Sequence, residues 1–134
     1  MYALSMGAGQ TMGMPDVCLT PAGPAMVPVP YPNIAQSAMA PSSVMTVLLG
    51  ATPTLNQMSS ISLSSGDEAG AATGVVSHMI KGQNTWILGS TGLLVGGMPC
   101  MRLTATGGGN AAGVMPNCPS VCIAPSQVSV LVLR

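Results

Sequence analysis

Charge is what this sequence lacks most. Only 4% of its 134 residues are charged, against about 25% in an ordinary soluble domain. Three acids, Asp16, Asp67 and Glu68, cancel three bases, Lys81, Arg102 and Arg134. With no basic stripe to displace counterions from phosphates, nucleic acid is excluded as a partner. So little charge cannot dress a whole surface for water. Much of that surface is therefore expected to be covered by another protein or another copy, as in a component of an assembly.

Long apolar runs are missing too. Mean hydropathy is positive, yet the best membrane candidate, Trp86 to Met101, has about four-fifths of the roughly 20 residues a span needs. It also carries Ser90, Thr91, four glycines and Pro99, so no stable membrane insertion is expected. The opening "MYALSMGAGQTMGMPD" has no basic residue ahead of its apolar ones and no apolar core, so no signal peptide is read.

Helix signals are scarce as well. Seventeen glycines and twelve prolines break the chain into short runs rich in Val, Ile, Leu, Thr and Ser, which favours strands joined by tight turns. The fold class expected is all-β in a single domain, 1–134. Strands are predicted at Val44–Gly50, Met58–Ser64, Gly74–Ile80, Asn84–Gly89, Gly92–Gly97, Pro99–Thr104 and Gln127–Leu133. The first forty residues differ. Prolines at 21, 24, 28, 30 and 32 exclude helix and central strand and leave an extended wrapping segment, followed by repeated hairpins over 41–134.

An internal repeat organises that second part. "TVLLGATPTL" (Thr46–Leu55) aligns with "GLLVGGMPCM" (Gly92–Met101), matching Gly50 with Gly96 and Pro53 with Pro99. Each copy reads as strand, glycine turn, proline, strand. Each is followed by a glycine-bounded loop, "GDEAG" at 66–70 and "GNAAG" at 109–113. Two such copies imply pseudo-symmetry.

The chemistry-bearing residues are few: one histidine and four cysteines. In "NCPSVC", Cys118 and Cys122 stand four apart around Pro119, a spacing open to a metal clip, a disulfide or two inert thiols. Without an export signal, reduced thiols are favoured. Asp67 and Glu68 are the only paired carboxylates, but with Ser64, Ser65 and a distant His78 they make a poor catalytic set. Asp67 reads as a turn acceptor between Gly66 and Gly70. "GGGN" at 107–110 lacks the lysine of a phosphate loop. No enzyme is expected.

The runs "PDVCLTPAGPAMVPVPYPNIA" (Pro15–Ala35), "SSGDEAGAATGVVS" (Ser64–Ser77) and "GGMPCMRL" (Gly96–Leu103) resemble the PAAR-like proteins at the tip of the type VI secretion spike. Pro99-Cys100-Met101-Arg102 keeps the proline and arginine of the Pro-Ala-Ala-Arg tetrapeptide. It departs after Arg102, where "LTATGGGN" replaces the usual Gly-Asp. The resemblance implies a small cone of β-hairpins with pseudo-threefold symmetry, the third side completed by the proline-rich segment or the C-terminal "SVLVL". It implies a base seated on the trimeric VgrG spike protein, one copy per trimer, with effectors as further partners. The cytoplasm before firing and carriage out on the spike follow as localisation.

A zinc ion at the point is also implied. Zinc takes four tetrahedral N or S ligands in a closed structural site. The expected set is Cys18, His78, Cys118 and Cys122, with Cys100 as the alternative; Cys100, inside a strand beside Met101, reads more easily as a small buried side chain. The rival function is a small self-associating β-rich protein with no spike partner, or an adaptor for a separate toxin.

Overall fold

A strand ending in Gly50, or in Gly96, needs a turn that accepts positive φ, and both repeats close that way. In the computed structural model, which describes residues 1–111 and 115–133, the strands are β1 (Gln10–Ala22), β2 (Ala25–Gln36), β3 (Val44–Leu49), β4 (Thr52–Thr54), β5 (Ser60–Ile61), β6 (Ser64–Ser65), β7 (Gln83–Leu88), β8 (Leu94–Val95), β9 (Met98–Pro99), β10 (Thr106–Ala111) and β11 (Cys118–Ala124). β3 pairs with β4 around Gly50 and Ala51, at φ +58° and +65°. β8 pairs with β9 around Gly96 and Gly97, at +61° and +80°. Two central residues of positive φ make the turn whose twist suits a two-residue hairpin. Registers coincide: Leu48 faces Pro53, and Leu94 faces Pro99.

A third hairpin, without a turn, completes the set. Tyr2 faces Leu131 across an antiparallel bridge, the Val132 N–H donates to the Met1 carbonyl at 2.6 Å, and the Ala3 N–H donates to the Val130 carbonyl at 3.0 Å. Of the two sequence alternatives for the third side, "SVLVL" supplies it, paired with the first residues of the chain. Gln127–Leu133, expected as an ordinary strand, pairs only through this bridge.

The three hairpins meet in closed hydrogen-bond rings. Leu55 N–H donates to the Leu4 carbonyl (3.0 Å), Leu4 N–H to Met101 (2.8 Å), and Met101 N–H to Leu55 (3.0 Å). A second ring runs the opposite way: Met6 to Pro53 (2.7 Å), Gln57 to Pro99 (2.9 Å), Leu103 to Tyr2 (2.7 Å). Bridges Ser5–Thr54, Asn56–Cys100 and Arg102–Ala3 repeat the same cycle. Backbone groups thus satisfy one another around a pseudo-threefold axis, as buried backbone must. The side chains of Leu4, Leu55 and Met101, all 0% exposed, fill the centre of the main core with Trp86, Ile61 and Cys122.

Beside this base a seven-stranded antiparallel sheet runs β5-β7-β10-β11-β1-β2-β6. Its edge strands are close in sequence, and it curls into a nearly closed barrel. The molecule is a small all-β, pseudo-threefold cone.

The proline-rich segment is extended and paired along one side. Val29 and Val27 of β2 face Cys18 and Thr20 of β1, while Pro28, Pro30 and Pro32 share the alternate positions. Successive N–H groups of a strand point to opposite sides, so the three missing donors lie together on the unpaired side. An edge without donors cannot recruit another strand there.

Other predicted strands differ. Gly74–Ile80 is a turn-rich loop, held by a single bridge from Gly74 to Cys18, the Val75 N–H on the Val17 carbonyl, and side-chain bonds described below. Met58–Ser64 shrinks to the ends of β5 and β6. β10 and β11 were not anticipated, nor was β1: the first forty residues, expected to hold no central strand, place β1 between β11 and β2, with Pro15 at the register shift and Pro21 near the strand's end. Glycine fills β10 because the backbones nearly touch: a Cβ on Gly107 would lie 2.1 Å from the Thr85 carbonyl oxygen. Pro119 is tolerated in β11 because the β1–β11 ladder ends at Gly13–Ser120. The "GNAAG" loop begins inside β10; its last residues and Arg134 lie outside the described residues.

Candidate functional site

Two arrangements carry chemistry: a buried polar cluster along the outer part of β1, and an apolar face on the three hairpins. The cluster starts from a bulge. On β1, Thr11 and Gly13 face inward; the register shifts between Gly13 and Asp16, after which Asp16 and Cys18 face inward instead. One extra residue re-aims everything beyond it.

Asp67, from the Gly66–Gly70 loop, joins them. The carboxylates of Asp16 and Asp67 and the Cys18 thiol all lie within 4.8 Å of one another, and all three residues are fully buried. Asparagine amides hold the carboxylates. Asn33 Nδ2 donates to Asp16 Oδ2 at 2.7 Å, Asn117 Nδ2 donates to Asp16 Oδ1, and Asn110 Nδ2 donates to Asp67 Oδ2 at 2.8 Å. Asn117 Oδ1 also accepts the Val76 N–H at 2.8 Å, and Asn110 Oδ1 the Gly82 N–H at 2.8 Å. Each of these two residues therefore ties the 74–82 loop to a buried carboxylate. Asp67 accepts the Lys81 N–H at 3.2 Å rather than a donor of its own turn, where Glu68 Oε2 takes the Gly66 N–H at 2.7 Å.

Gly70 permits the approach. A Cβ there would stand 2.2 Å from the Cβ of Cys18, so only glycine lets this loop lie against β1.

Among the described residues no cationic side chain forms an ion pair with either acid. The one salt bridge among the described residues joins the Lys81 ammonium to exposed Glu68 at 3.7 Å. Burial raises the Asp67 pKa above its ordinary value. Burial, followed by the charges of Asp16 and Asp67, pushes the Cys18 thiol up to about 12. Like charges in low dielectric favour a proton or a cation between them. Two carboxylates and a thiol offer hard and soft donors together, a set that zinc accepts. The Asp16–Cys18–Asp67 group can bind a metal.

The structure divides the sequence-predicted ligands. Cys18 is in the cluster. Cys118 faces inward on β11, close enough for Asp16, Asp67 and Cys18 to help burial raise its thiol to about 12. Cys122 also faces inward on β11, but four residues of strand span about 13 Å. It packs in the main core with Leu4, its thiol donating to the Ala124 carbonyl at 3.4 Å. That span also excludes a Cys118–Cys122 disulfide. His78 is exposed in the 74–82 loop at φ +56°. Cys100 packs with Ala3, Val95 and Val132 in the smaller core. Sequence reasoning missed Asp16, though its two-residue spacing from Cys18 puts both on one face of a strand. It missed the three asparagines, which leave no periodic signal.

The apolar face repeats with the hairpins. Leu48, Leu94 and Leu131 hold equivalent positions and are 59%, 62% and 59% exposed. Beneath them Leu49, Val95 and Val132 join the smaller core. A separate apolar flank lies on the sheet, where Met14, Ile87, Val121 and Ile123 are exposed.

A family model described as the toxin PAAR-like domain matches residues 9–116. The chain belongs to the PAAR-like family. No curated protein and no solved structure matches it. The matched region covers the cluster and two of the three hairpins, so both features of this PAAR-like chain lie largely within the domain. No helix among the described residues is long and apolar enough to cross a membrane.

Proposed function

We propose that this PAAR-like chain is a non-enzymatic tip that caps the trimeric VgrG spike of a type VI, or related contractile, injection machine. The observation that carries the reading is the threefold repetition of exposed leucines over closed backbone rings. A trimeric β-helix ends in three equivalent apolar surfaces, and Leu48, Leu94 and Leu131 offer one anchor to each. A face built on leucines, with the Met1 ammonium held on the Val132 carbonyl at 3.1 Å, suits a dry, permanent contact. The rings transmit load between the hairpins without relying on side chains, and the barrel beside them forms the penetrating end. A structural metal, zinc by family resemblance, stiffens the molecule away from the base. Effectors would ride as separate proteins.

Co-expression with the cognate spike trimer, followed by native mass spectrometry, tests this. One tip chain per three spike chains is expected. A correctly paired trimer that binds no tip, while the tip self-associates, overturns the reading in favour of a self-associating protein.

A further inference from the structure

Charge and hydrogen-bond donors are both missing from one end of the molecule. β1 begins at Gln10, just past the Leu4 and Met6 rings of the base, and runs 13 residues to Ala22, about 40 Å of extended chain. The β1–β2 turn, Gly23 and Pro24, therefore lies at the far end from the leucine face. It stands clear of the rest: a Cβ on Gly23 would meet nothing within 4 Å. Every residue from 21 to 28, "PAGPAMVP", is exposed and none has a polar side chain. Thr20 and Tyr31, the only hydroxyls between Asp16 and Asn33, bond each other at 2.7 Å. No charged residue occurs between Asp16 and Asp67.

The backbone follows the side chains. Proline cannot donate, so Leu19–Pro28 and Val17–Pro30 are pairs of this ladder that exchange no hydrogen bond, and their amide positions point outward, as do those of Pro21 and Met26. The Leu19 N–H is taken by the Thr73 carbonyl at 2.8 Å, and the prolines have none. From Leu19 to Pro30, outside the turn, only Met26 keeps a free outward donor. An edge guarded against strand addition in water ordinarily carries charge, lysine above all. Here charge and donors are removed together, which is what surroundings without acceptors require, since an unpaired N–H in hydrocarbon is costly. A protein that captured this edge as a strand would need the donors the prolines remove.

We propose that the β1–β2 hairpin is the leading point of the molecule and that residues 21–28 enter the hydrocarbon of a lipid bilayer. The inference rests on the spike-tip reading only for which end leads; partition into lipid belongs to the free chain as well. Four residues in each arm, at about 3.3 Å each, reach about 13 Å, within one leaflet of a core about 30 Å thick. The hairpin is a wedge and not a span.

The test uses the full chain carrying Ala25→Cys, labelled with an environment-sensitive fluorophore, and phosphatidylcholine vesicles. Ala25 is exposed and the four native thiols are buried, so the label goes to the introduced site. Vesicles should shift its emission to the blue, and quenchers on the acyl chains should act on it more strongly than quenchers on the headgroups. The same label at Thr46→Cys, on the base, should be quenched less by the acyl chains. Met26→Glu and Val27→Glu should each weaken vesicle partition about tenfold, while Leu48→Glu should leave it unchanged. Pro28→Val combined with Pro30→Val separates donors from apolarity. Valine is at least as apolar as proline, so apolarity alone gives equal or tighter partition, whereas two restored N–H groups should weaken it about tenfold. A chain that embeds in vesicles yet never binds the spike trimer sinks the tip reading and keeps the hairpin as a lipid contact. An Ala25 label that stays aqueous with vesicles overturns the proposal, as does partition lost in Leu48→Glu but kept in Met26→Glu. Equal or tighter partition of the double valine chain removes the case for lipid, and a label shielded by the spike trimer instead makes the hairpin a protein contact; either result overturns the proposal.

Discussion

The base of the cone and the outer part of β1 solve the same problem, joining distant pieces of chain, by opposite means. At the base, Leu4, Leu55 and Met101 bond through their backbones, each hairpin repeats the next, and the side chains at the centre are apolar. Around Asp16 a few backbone bonds from 72–75 to Val17 and Leu19 are joined by side chains that hold the buried centre: three asparagines, two aspartates and a thiol, with no repetition at all. Backbone rings tolerate changes of residue so long as the volume is kept, which is why Leu55 and Met101 are interchangeable in position. A polar cluster tolerates none, since each lost donor strands a buried acceptor.

The largest effect should come from cutting the ring's core. Leu55→Ala removes a fully buried side chain at the pseudo-axis and is expected to cost about 2–5 kcal/mol, seen in chemical denaturation. Gly70→Ala breaks the other region: its Cβ meets that of Cys18 at 2.2 Å, and overpacking of that kind costs about 1–3 kcal/mol. Here metal binding should fall while spike binding survives. A Gly70→Ala chain that loses the spike as well would mean the two regions are one unit.

Smaller changes sharpen the likeness of the hairpins to one another. Gly97 is at φ +80° with open space around its Cα, and its counterpart in the first hairpin is already Ala51 at +65°. Gly97→Ala should therefore cost no more than about 1 kcal/mol in denaturation. A larger loss would show that the two turns are not equivalent. The smallest effect belongs to Glu68. Its own backbone N–H, followed by the Gly66 N–H, holds its carboxyl below the ordinary 4.5, a lowered native pKa. Its contribution is present above 4.5 and lost as pH falls through the lowered value. The Tm difference between parent and Glu68→Gln should be slight near neutrality and vanish in acid.

The base was legible in the sequence and the cluster was not. Gly50 and Gly96, Pro53 and Pro99 mark two hairpins because turn chemistry is local. "SVLVL" was one of two candidates for the third side, the proline-rich segment being the other, and only the threefold symmetry implied by the resemblance called for a third side at all. β10 left no strand signal, since a glycine run is chosen by backbone contact with Thr85 rather than by propensity. Reading "NCPSVC" as a turn put Cys118 and Cys122 at one point; as a strand it sends one to the cluster and the other to the core. The bulge before Asp16 is what aims Asp16 and Cys18 inward, and its only trace in the sequence is one glycine and one proline.

The central claim is that three equivalent leucines seat this chain on a threefold partner, and their separate replacement tests it most directly. Affinity for the spike trimer would be measured for Leu48→Glu, Leu94→Glu and Leu131→Glu, each checked for parent-like metal content. The account predicts losses on the order of tenfold or more for each, similar among the three. Unchanged affinity in all three would contradict it and move the docking surface to the flank of Met14, Ile87, Val121 and Ile123.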